Sequence, residues 1–475
     1  MILLVNPNLM KPPVTPVALD YLGQVLEKAG FRISLLDLSF ESDIPRALRA
    51  ALSGEERLVA VTVRNTDDCF LASQDFCLDR TRAIIREIKA LTPAPVVVGG
   101  VGYSVFPREA LDFLEADVGV AGEGEEALCQ IAARVVAGQD LHGMTGVLLR
   151  DGPAEHVSHA PVLDLAGMDL SARSVVDNAR YLREGAMAGF ETKRGCDQTC
   201  VYCADPVAKG THIRMRRPDN VAQEFKNLLR QGVDTLHTCD SEFNLPPDHA
   251  REVCEATVRA GLADRIRWYA YATPYPFPEE LAEAMRRAGC VGIDFGVDHA
   301  DDEMLKRLGR RHRVSHLRET AARCRRHGLV TMYDLLLGGP GETRASIVRA
   351  LEALRSMEVD RVGIAFGARI YPGTHLARRV TREGFCLDNP NLRGHVEDNE
   401  RFLRPVYYVS GGLGQDIDSF LQGLIKDDER FFFGGTEPSD RNYNYNDNSV
   451  LVQAIQAGER GAFWDILRRV SSKIP

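Results

Sequence analysis

The chain has 475 residues, 44% hydrophobic and 26% charged, which suits two to four domains at about 150 residues each and excludes wholesale disorder. Lysine plus arginine total 58 against 67 aspartates plus glutamates, a net charge of −9 that argues against nucleic-acid or anionic-membrane binding. No apolar run approaches the roughly 18 residues of a membrane helix, and eleven cysteines without an export signal argue against a disulfide framework, so a cytoplasmic protein is expected.

Residues 1–137 alternate strand candidates (Ile2–Val5, Arg32–Leu36, Leu58–Val63, Val96–Val98, Val118–Val120) with helical stretches (Leu19–Ala29, Ile44–Leu52, Thr81–Leu91, Glu125–Val136). Five strands alternating with helices predict a doubly wound parallel sheet, whose ligand binds beyond the carboxyl ends of the strands. Those ends read Asn6-Pro-Asn-Leu-Met-Lys-Pro-Pro, Arg64-Asn65-Thr66-Asp-Asp, Gly99-Gly100-Val-Gly102-Tyr-Ser104 and Gly122-Glu123-Gly-Glu. The glycines are expected to let a ligand approach the backbone, tight turns being the plainer reading.

Residues 138–186 read as a linker with one short strand, Gly146–Leu149. From 187 to 375 a second alternation predicts strands at Gly189–Lys193, Thr235–Cys239, Ile266–Ala272, Val291–Phe295, Thr331–Leu337 and Val362–Ile370. Polar residues at each carboxyl end suit a partial (β/α)6 barrel better than an open sheet. Residues 376–475, with Phe431-Phe-Phe and Asn442-Tyr-Asn-Tyr-Asn, are expected to form a cap that shapes a substrate pocket.

The strongest signal is Arg194-Gly-Cys196-Asp-Gln-Thr-Cys200-Val-Tyr-Cys203, in the loop after the first barrel strand. Three thiolates this close can hold one compact metal centre. Structural zinc asks for a fourth Cys or His, whereas three cysteines suit a [4Fe–4S] cluster with one iron left open.

This pattern resembles the radical S-adenosylmethionine (SAM) superfamily, whose motif is Cys-x-x-x-Cys-x-x-Cys with an aromatic before the third cysteine, over roughly residues 187–375. The resemblance implies that the open iron binds SAM and that the reduced cluster, fed by an external electron donor, yields a 5′-deoxyadenosyl radical. It places Asp240 or Glu242 at the SAM amino group, and Asp294 and Asp298 near the ribose and methionine carboxylate. It further places Gly339 beside the adenosine and Arg369 and Tyr371 on the adenine side. Tyr271 and Thr273 are expected on the substrate side.

The front domain resembles the cobalamin-binding class of that superfamily. No histidine occurs between Asn6 and Pro16, so cobalamin is expected base-off without an imidazole ligand from that loop. Arg64, always charged and unable to ligate cobalt, is expected at the lower axial face, a surface salt bridge being the alternative. Asn65, Thr66, Gly99, Gly100, Gly102, Ser104, Gly122 and Glu123 are expected to contact the corrin or its nucleotide tail.

Cys69, Cys77 and Cys129 lack the spacing of a second cluster and read as core. Histidines 237, 249, 299, 312 and 316 read as surface residues. The resulting expectation is a C-methyltransferase acting on an unactivated carbon of a small molecule or peptide through methylcobalamin and the deoxyadenosyl radical. The alternatives are a non-methylating rearrangement or cyclisation, a catalyst without cobalamin, and a non-catalytic iron–sulfur sensor.

Overall fold

The computed structural model describes residues 1–152, 159–160, 162–434 and 448–471. The front sheet contains β1 (Ile2–Asn6), β2 (Ile33–Asp37), β3 (Leu58–Thr62), β4 (Val96–Gly99), β5 (Val118–Val120) and β6 (Val147–Leu149). Its order is β2-β1-β3-β4-β5-β6, so the winding reverses between β1 and β3, where such sheets open a crevice. The strands read as unbroken apolar runs because helices cover both faces; Leu3, Leu4 and Val5 are fully buried. The sheet has one strand more than expected. β6, assigned above to the linker, pairs antiparallel with β5. The chain reaches it through Gly138, Gly143 and Gly146, all at positive φ, and a Cβ on Gly146 would collide with Ala160.

The second sheet begins with β7 (Ala188–Phe190), followed by a small hairpin of β8 (Lys193–Arg194) and β9 (Arg214–Met215). It continues through β10 (Thr235–Thr238), β11 (Arg267–Ala272), β12 (Cys290–Asp298), β13 (Val330–Leu337) and β14 (Arg361–Phe366). Packed outer helices stabilise it: Val221, Phe225 and Leu228 of helix Pro218–Arg230 are buried, each worth roughly 1.5–3 kcal/mol. The predicted sixth strand does not run on to Ile370. Gly367, at φ +85, breaks it, and β15 (Ala368–Arg369) joins a separate antiparallel sheet with β16 (Leu392–Gly394) and β17 (Val406–Tyr408).

The C-terminal region is more than a cap. β18 (Phe431–Phe433) pairs parallel with β14 as a seventh barrel strand. Helices Ser449–Gln456 and Phe463–Ser471 close the amino-terminal ends of the strands, with Trp464 packed on Tyr269 and on Gly292 and Tyr269 donating to Asp465 (2.8 Å). These two helices therefore lie at the end of the barrel opposite the cluster loop. Most of the Asn- and Tyr-rich segment lies outside the described residues. Among the described residues, no helix is long and apolar enough to cross a membrane.

The two sheets are joined by a buried charge network. Arg173 donates to Asp20 (2.7 Å), Glu224 (2.6 Å) and the Gly189 carbonyl (2.8 Å), and Arg216 donates to Glu224 (2.6 Å). This ties a front-domain helix to a barrel helix and to β7.

Candidate active site

The cluster loop follows β8. Cys196 is buried and Cys200 and Cys203 are half-buried, and all three are free thiols. Burial, before any other cause, pushes Cys196 up to about 12 and raises Cys200 and Cys203. Such thiols keep their protons until a cationic centre displaces them. Among the described residues, no three Cys, His, Asp or Glu side chains converge as ligands of a single ion. The three thiols act on one another electrostatically, and three cysteines on one loop with no fourth Cys or His in the motif suit an iron–sulfur cluster better than a structural zinc.

A residue that sequence reasoning missed organises this loop. Arg310 donates to Cys200 Sγ (2.9 Å) and to the Gly296 carbonyl, with Asp298 at 3.3 Å and Glu242 at 3.8 Å. Its guanidinium lowers Cys200 against the effect of burial. Asp298, itself at positive φ, accepts from Tyr202, the aromatic before the third cysteine (2.5 Å). Val201 N donates to Leu308 O (3.0 Å) and Thr199 Oγ1 to Gly309 O (3.1 Å). Arg310 stands in Gly309-Arg-Arg-His-Arg, which reads as a solvated basic face, yet it and His312 point inward. His312 is 2% exposed and bonds the Val297 carbonyl (2.9 Å). His299 is likewise buried, on Glu342 (3.1 Å), and His249 on the Thr192 carbonyl. His237 is half-buried, and burial holds it down to about 4; the surface reading of these four histidines is corrected.

The two SAM-amino candidates separate. Asp240 accepts from Thr192 N (2.7 Å), Thr192 Oγ1 (2.6 Å) and Lys193 N (3.2 Å), with Lys193 Nζ at 3.5 Å, so it holds the barrel entry together. Glu242 makes no such commitment. Burial raises it to about 7, beside Cys196 and Cys200. Asp294 faces inward next to Asp334. Gly339 lies in a turn against Leu308.

Arg369 and Tyr371 both sit against the loop that follows β3. Because the chain leaves the barrel at Gly367, Arg369 is buried on Asp67 (3.0 Å) and on the Phe402 and Leu403 carbonyls. The Tyr371 hydroxyl lies 3.0 Å from Cys69 Sγ. Both side chains clamp the loop after β3 onto the barrel. Cys77 begins helix Cys77–Leu91 and Cys129 lies within helix Gly124–Val136; Cys69 is exposed and the other two are only half-buried, so the core reading of all three is corrected.

At the front sheet, a cavity of ≈140 Å³ opens at the carboxyl ends of the central strands, lined by Gly99, Gly100, Ser104, Gly122, Glu123 and Lys209 among others. Two of the glycines also serve packing. A Cβ on Gly100 would lie 2.7 Å from Val63 O, and one on Gly102 3.0 Å from the Arg64 backbone, so these two bring the β3 and β4 loops together. Ser104 Oγ donates to Gly100 O (2.8 Å) and accepts from Gly122 N (2.9 Å). Glu123 accepts from Leu163 N (2.8 Å) and Arg214 (2.5 Å), and Arg194 bonds Glu125 (2.6 Å). Thr66 donates to Asp67 (3.0 Å), and the Asn65 amide is within hydrogen-bond reach of Arg64. Arg64 is exposed and forms no salt bridge among the described residues; its Nη1 lies 3.9 Å from Met10 Sδ.

Between the two sheets lies a second cavity, ≈90 Å³, lined by Pro12, Pro13, Arg64, Met187, His237, Tyr271, Ile455 and Phe463 among others. Tyr271 is 42% exposed, whereas Trp268 is core and Thr273 is buried on Asn244.

Fold and donor set define a two-domain α/β enzyme in which a ligand-binding doubly wound domain faces a partial barrel carrying a three-thiol cluster loop. The Radical SAM superfamily model matches residues 190–354 and the B12 binding domain model residues 10–132. Tryptophan 2-C-methyltransferase of Streptomyces laurentii is 30% identical over 97% of this chain and 94% of its own. Cytidylyl-2-hydroxyethylphosphonate methyltransferase of Streptomyces wedmorensis is 24% identical over 79% and 80%. The solved radical SAM methyltransferase TsrM of Kitasatospora setae, with tryptophan and aza-SAM bound, superimposes with TM-score 0.92 at 30% identity, covering 99% of this chain and 98% of that one. The chain belongs to the radical SAM superfamily, among its cobalamin-binding methyltransferases. Its cofactors are a [4Fe–4S] cluster, SAM and cobalamin, and its substrate is a small molecule.

Proposed function

We propose that the protein methylates a carbon of tryptophan or of a related indole-bearing amino acid. The carrying observation is the cavity between the sheets, whose walls of proline, methionine, isoleucine and phenylalanine surround Tyr271, His237 and Arg64. An apolar slot with a few polar groups suits a flat aromatic ring, and the full-length relative named above acts on tryptophan. Bound cobalamin would carry the methyl group, and the cluster would handle SAM. Cys196, Cys200 and Cys203 would hold the cluster, and Glu242 would accept the SAM ammonium, an anionic acceptor being what that group needs. Gly99, Ser104 and Gly122 would line the nucleotide tail. Arg64, without a salt-bridge partner among the described residues, would lie against the corrin and, being unable to ligate cobalt, would supply it no ligand. An Arg64→Ala protein with an unchanged holo-cobalamin absorption spectrum and unchanged turnover would remove that last role.

The test is reconstitution with iron, sulfide and cobalamin, then incubation with SAM, a reductant and tryptophan. Mass spectrometry should find a tryptophan heavier by one methylene, with S-adenosylhomocysteine. Hydrogen abstraction is a separate matter: an aromatic carbon can take an electrophilic methyl group and then lose its proton, whereas a saturated carbon must first lose a hydrogen atom. Equimolar 5′-deoxyadenosine would support the radical route, and its absence the polar one. No methylated product would refute the proposal.

A further inference from the structure

Residues 306–313, Lys-Arg-Leu-Gly-Arg-Arg-His-Arg, carry five lysines and arginines and no acid. Arg310 turns inward onto Cys200, but Lys306, Arg307, Arg311 and Arg313 are exposed. The stretch is stitched to the cluster loop: Val201 N donates to Leu308 O (3.0 Å), Thr199 Oγ1 to Gly309 O (3.1 Å) and Arg311 to Asp197 O (3.0 Å). A second basic stretch meets the same loop. Leu376 N donates to Val201 O (2.8 Å), and residues 375–382 add exposed Arg378, Arg379 and Arg382, again without an acid.

The acids beside these stretches are already matched. Asp197 faces Arg311 (3.4 Å), Glu303 faces Arg307 (3.0 Å), Glu383 faces Arg379 (2.6 Å) and Asp301 faces Arg349 (2.7 Å), while Asp302 accepts from Val314 N (2.8 Å). Lys306, Arg313 and Arg378 form no salt bridge among the described residues. A chain of net charge −9 thus presents a positive face around its cluster loop. The plainer reading is two solvated helix flanks. Yet the stretches belong to separate helices, Asp302–Arg307 and His375–Glu383, and both are anchored on Val201, between the second and third cysteines. Unmatched like charges held together repel one another, a cost that an oppositely charged partner relieves. At the same place Asp197 and Thr199 are exposed, and Cys200 and Cys203 are half-buried. An iron–sulfur cluster exchanges single electrons. Among the described residues no second ligand set converges that would hold a relay, so a donor has to approach this loop itself.

We propose that this face docks an acidic one-electron carrier protein, which is oxidised by one electron as the cluster is reduced by one, with no atom transferred. The proposal rests on the reading of Cys196, Cys200 and Cys203 as the cluster's ligands. It goes beyond that reading by fixing where the electron enters and the charge of the protein that brings it. Contacts of this kind are small and short-lived, and complementary charge acts on their rate of encounter more than on their affinity.

The test follows cluster reduction by stopped-flow absorbance in the reconstituted protein, without substrate or turnover. The probe is the hydroquinone of a flavodoxin, an acidic carrier; photoreduced deazaflavin is the small neutral reductant for comparison. With flavodoxin, the wild-type rate should fall at least about 10-fold as salt rises from about 0.05 M to about 0.5 M. Combined Lys306→Glu, Arg313→Glu and Arg378→Glu should slow it by at least about 10-fold at the lower salt, with the deazaflavin rate unchanged. Arg57→Glu is the control, since Arg57 is exposed beside the amino-terminal end of β3 and should leave both rates as they are. The salt series needs no variant, and the reversed residues are exposed and unpaired, so thermal midpoints equal to wild type are expected. A flavodoxin rate indifferent to salt, or no reduction by flavodoxin where deazaflavin succeeds, overturns the docking face and leaves the cluster reading standing. A triple variant as fast as Arg57→Glu, or one equally slow with deazaflavin, also overturns it. Wild-type protein that assembles no cluster overturns both.

Discussion

Replacing Arg173 by methionine tests whether the two sheets are locked by buried charge. Arg173 and its partners Asp20 and Glu224 have fully buried side chains. Methionine fills similar volume but leaves both carboxylates without this partner. Breaking a buried pair by removing one side costs about 3–5 kcal/mol, and the Gly189 carbonyl loses its donor as well. Asp20 keeps bonds from Val175 N, Val176 N and Asn178, and Glu224 keeps Arg216, which places the cost toward the lower end of that range. With a urea m-value near the upper end of about 3 kcal/mol/M, the midpoint should fall by roughly 1 M. The assay is urea unfolding followed by far-UV dichroism and by fluorescence of the chain's two tryptophans, Trp268 and Trp464, both buried in the barrel. Lys28→Met is the control. Its partner Asp169 is 3.4 Å away with both side chains more than half exposed, and such a pair contributes under about 1 kcal/mol. An Arg173→Met midpoint that moves no further than the control would refute the argument.

Arg310→Gln removes a cation and a donor from Cys200; the cluster's reduction potential should fall and methyl transfer should drop at least tenfold, read by redox-poised electron paramagnetic resonance and product formation. His312 is held down to about 3 by burial. A base depressed in the folded state contributes stability above its unfolded value near 6.5 and loses it as pH falls toward 3, about 2 kcal/mol by pH 5; His312→Gln should flatten that part of a stability–pH curve. Cys196→Ala, Cys200→Ala and Cys203→Ala proteins, reconstituted in parallel, should each lose the cluster's visible absorption, whereas Cys324→Ala should retain it because that residue is buried core.

Much of this was legible in the chain. Apolar runs separated by amphipathic helices announce a parallel sheet wherever both faces are covered, and the spacing of Cys196, Cys200 and Cys203 declares its chemistry without reference to fold. What stayed hidden depends on contacts distant in sequence. β18 is three phenylalanines whose strand identity comes from β14. Whether Arg310 turns inward is decided by the cluster loop and Gly296, more than 100 and 14 positions away. Arg369 and Tyr371 continue an apolar strand pattern, and only the turn at Gly367 carries them to another sheet. That Gly100 and Gly102 also bring the β3 loop against β4 is visible only once the two loops are seen together.

The late arrival of β18 shapes how the molecule can be assembled. Until Phe431–Phe433 docks, β14 offers an open row of amide and carbonyl groups, the kind of flank on which nascent chains stick to one another. Trimming the polypeptide before Arg430 would therefore yield an adhesive half-finished wall in place of a shortened enzyme, and expression trials of such truncations should recover most of the product in inclusion bodies.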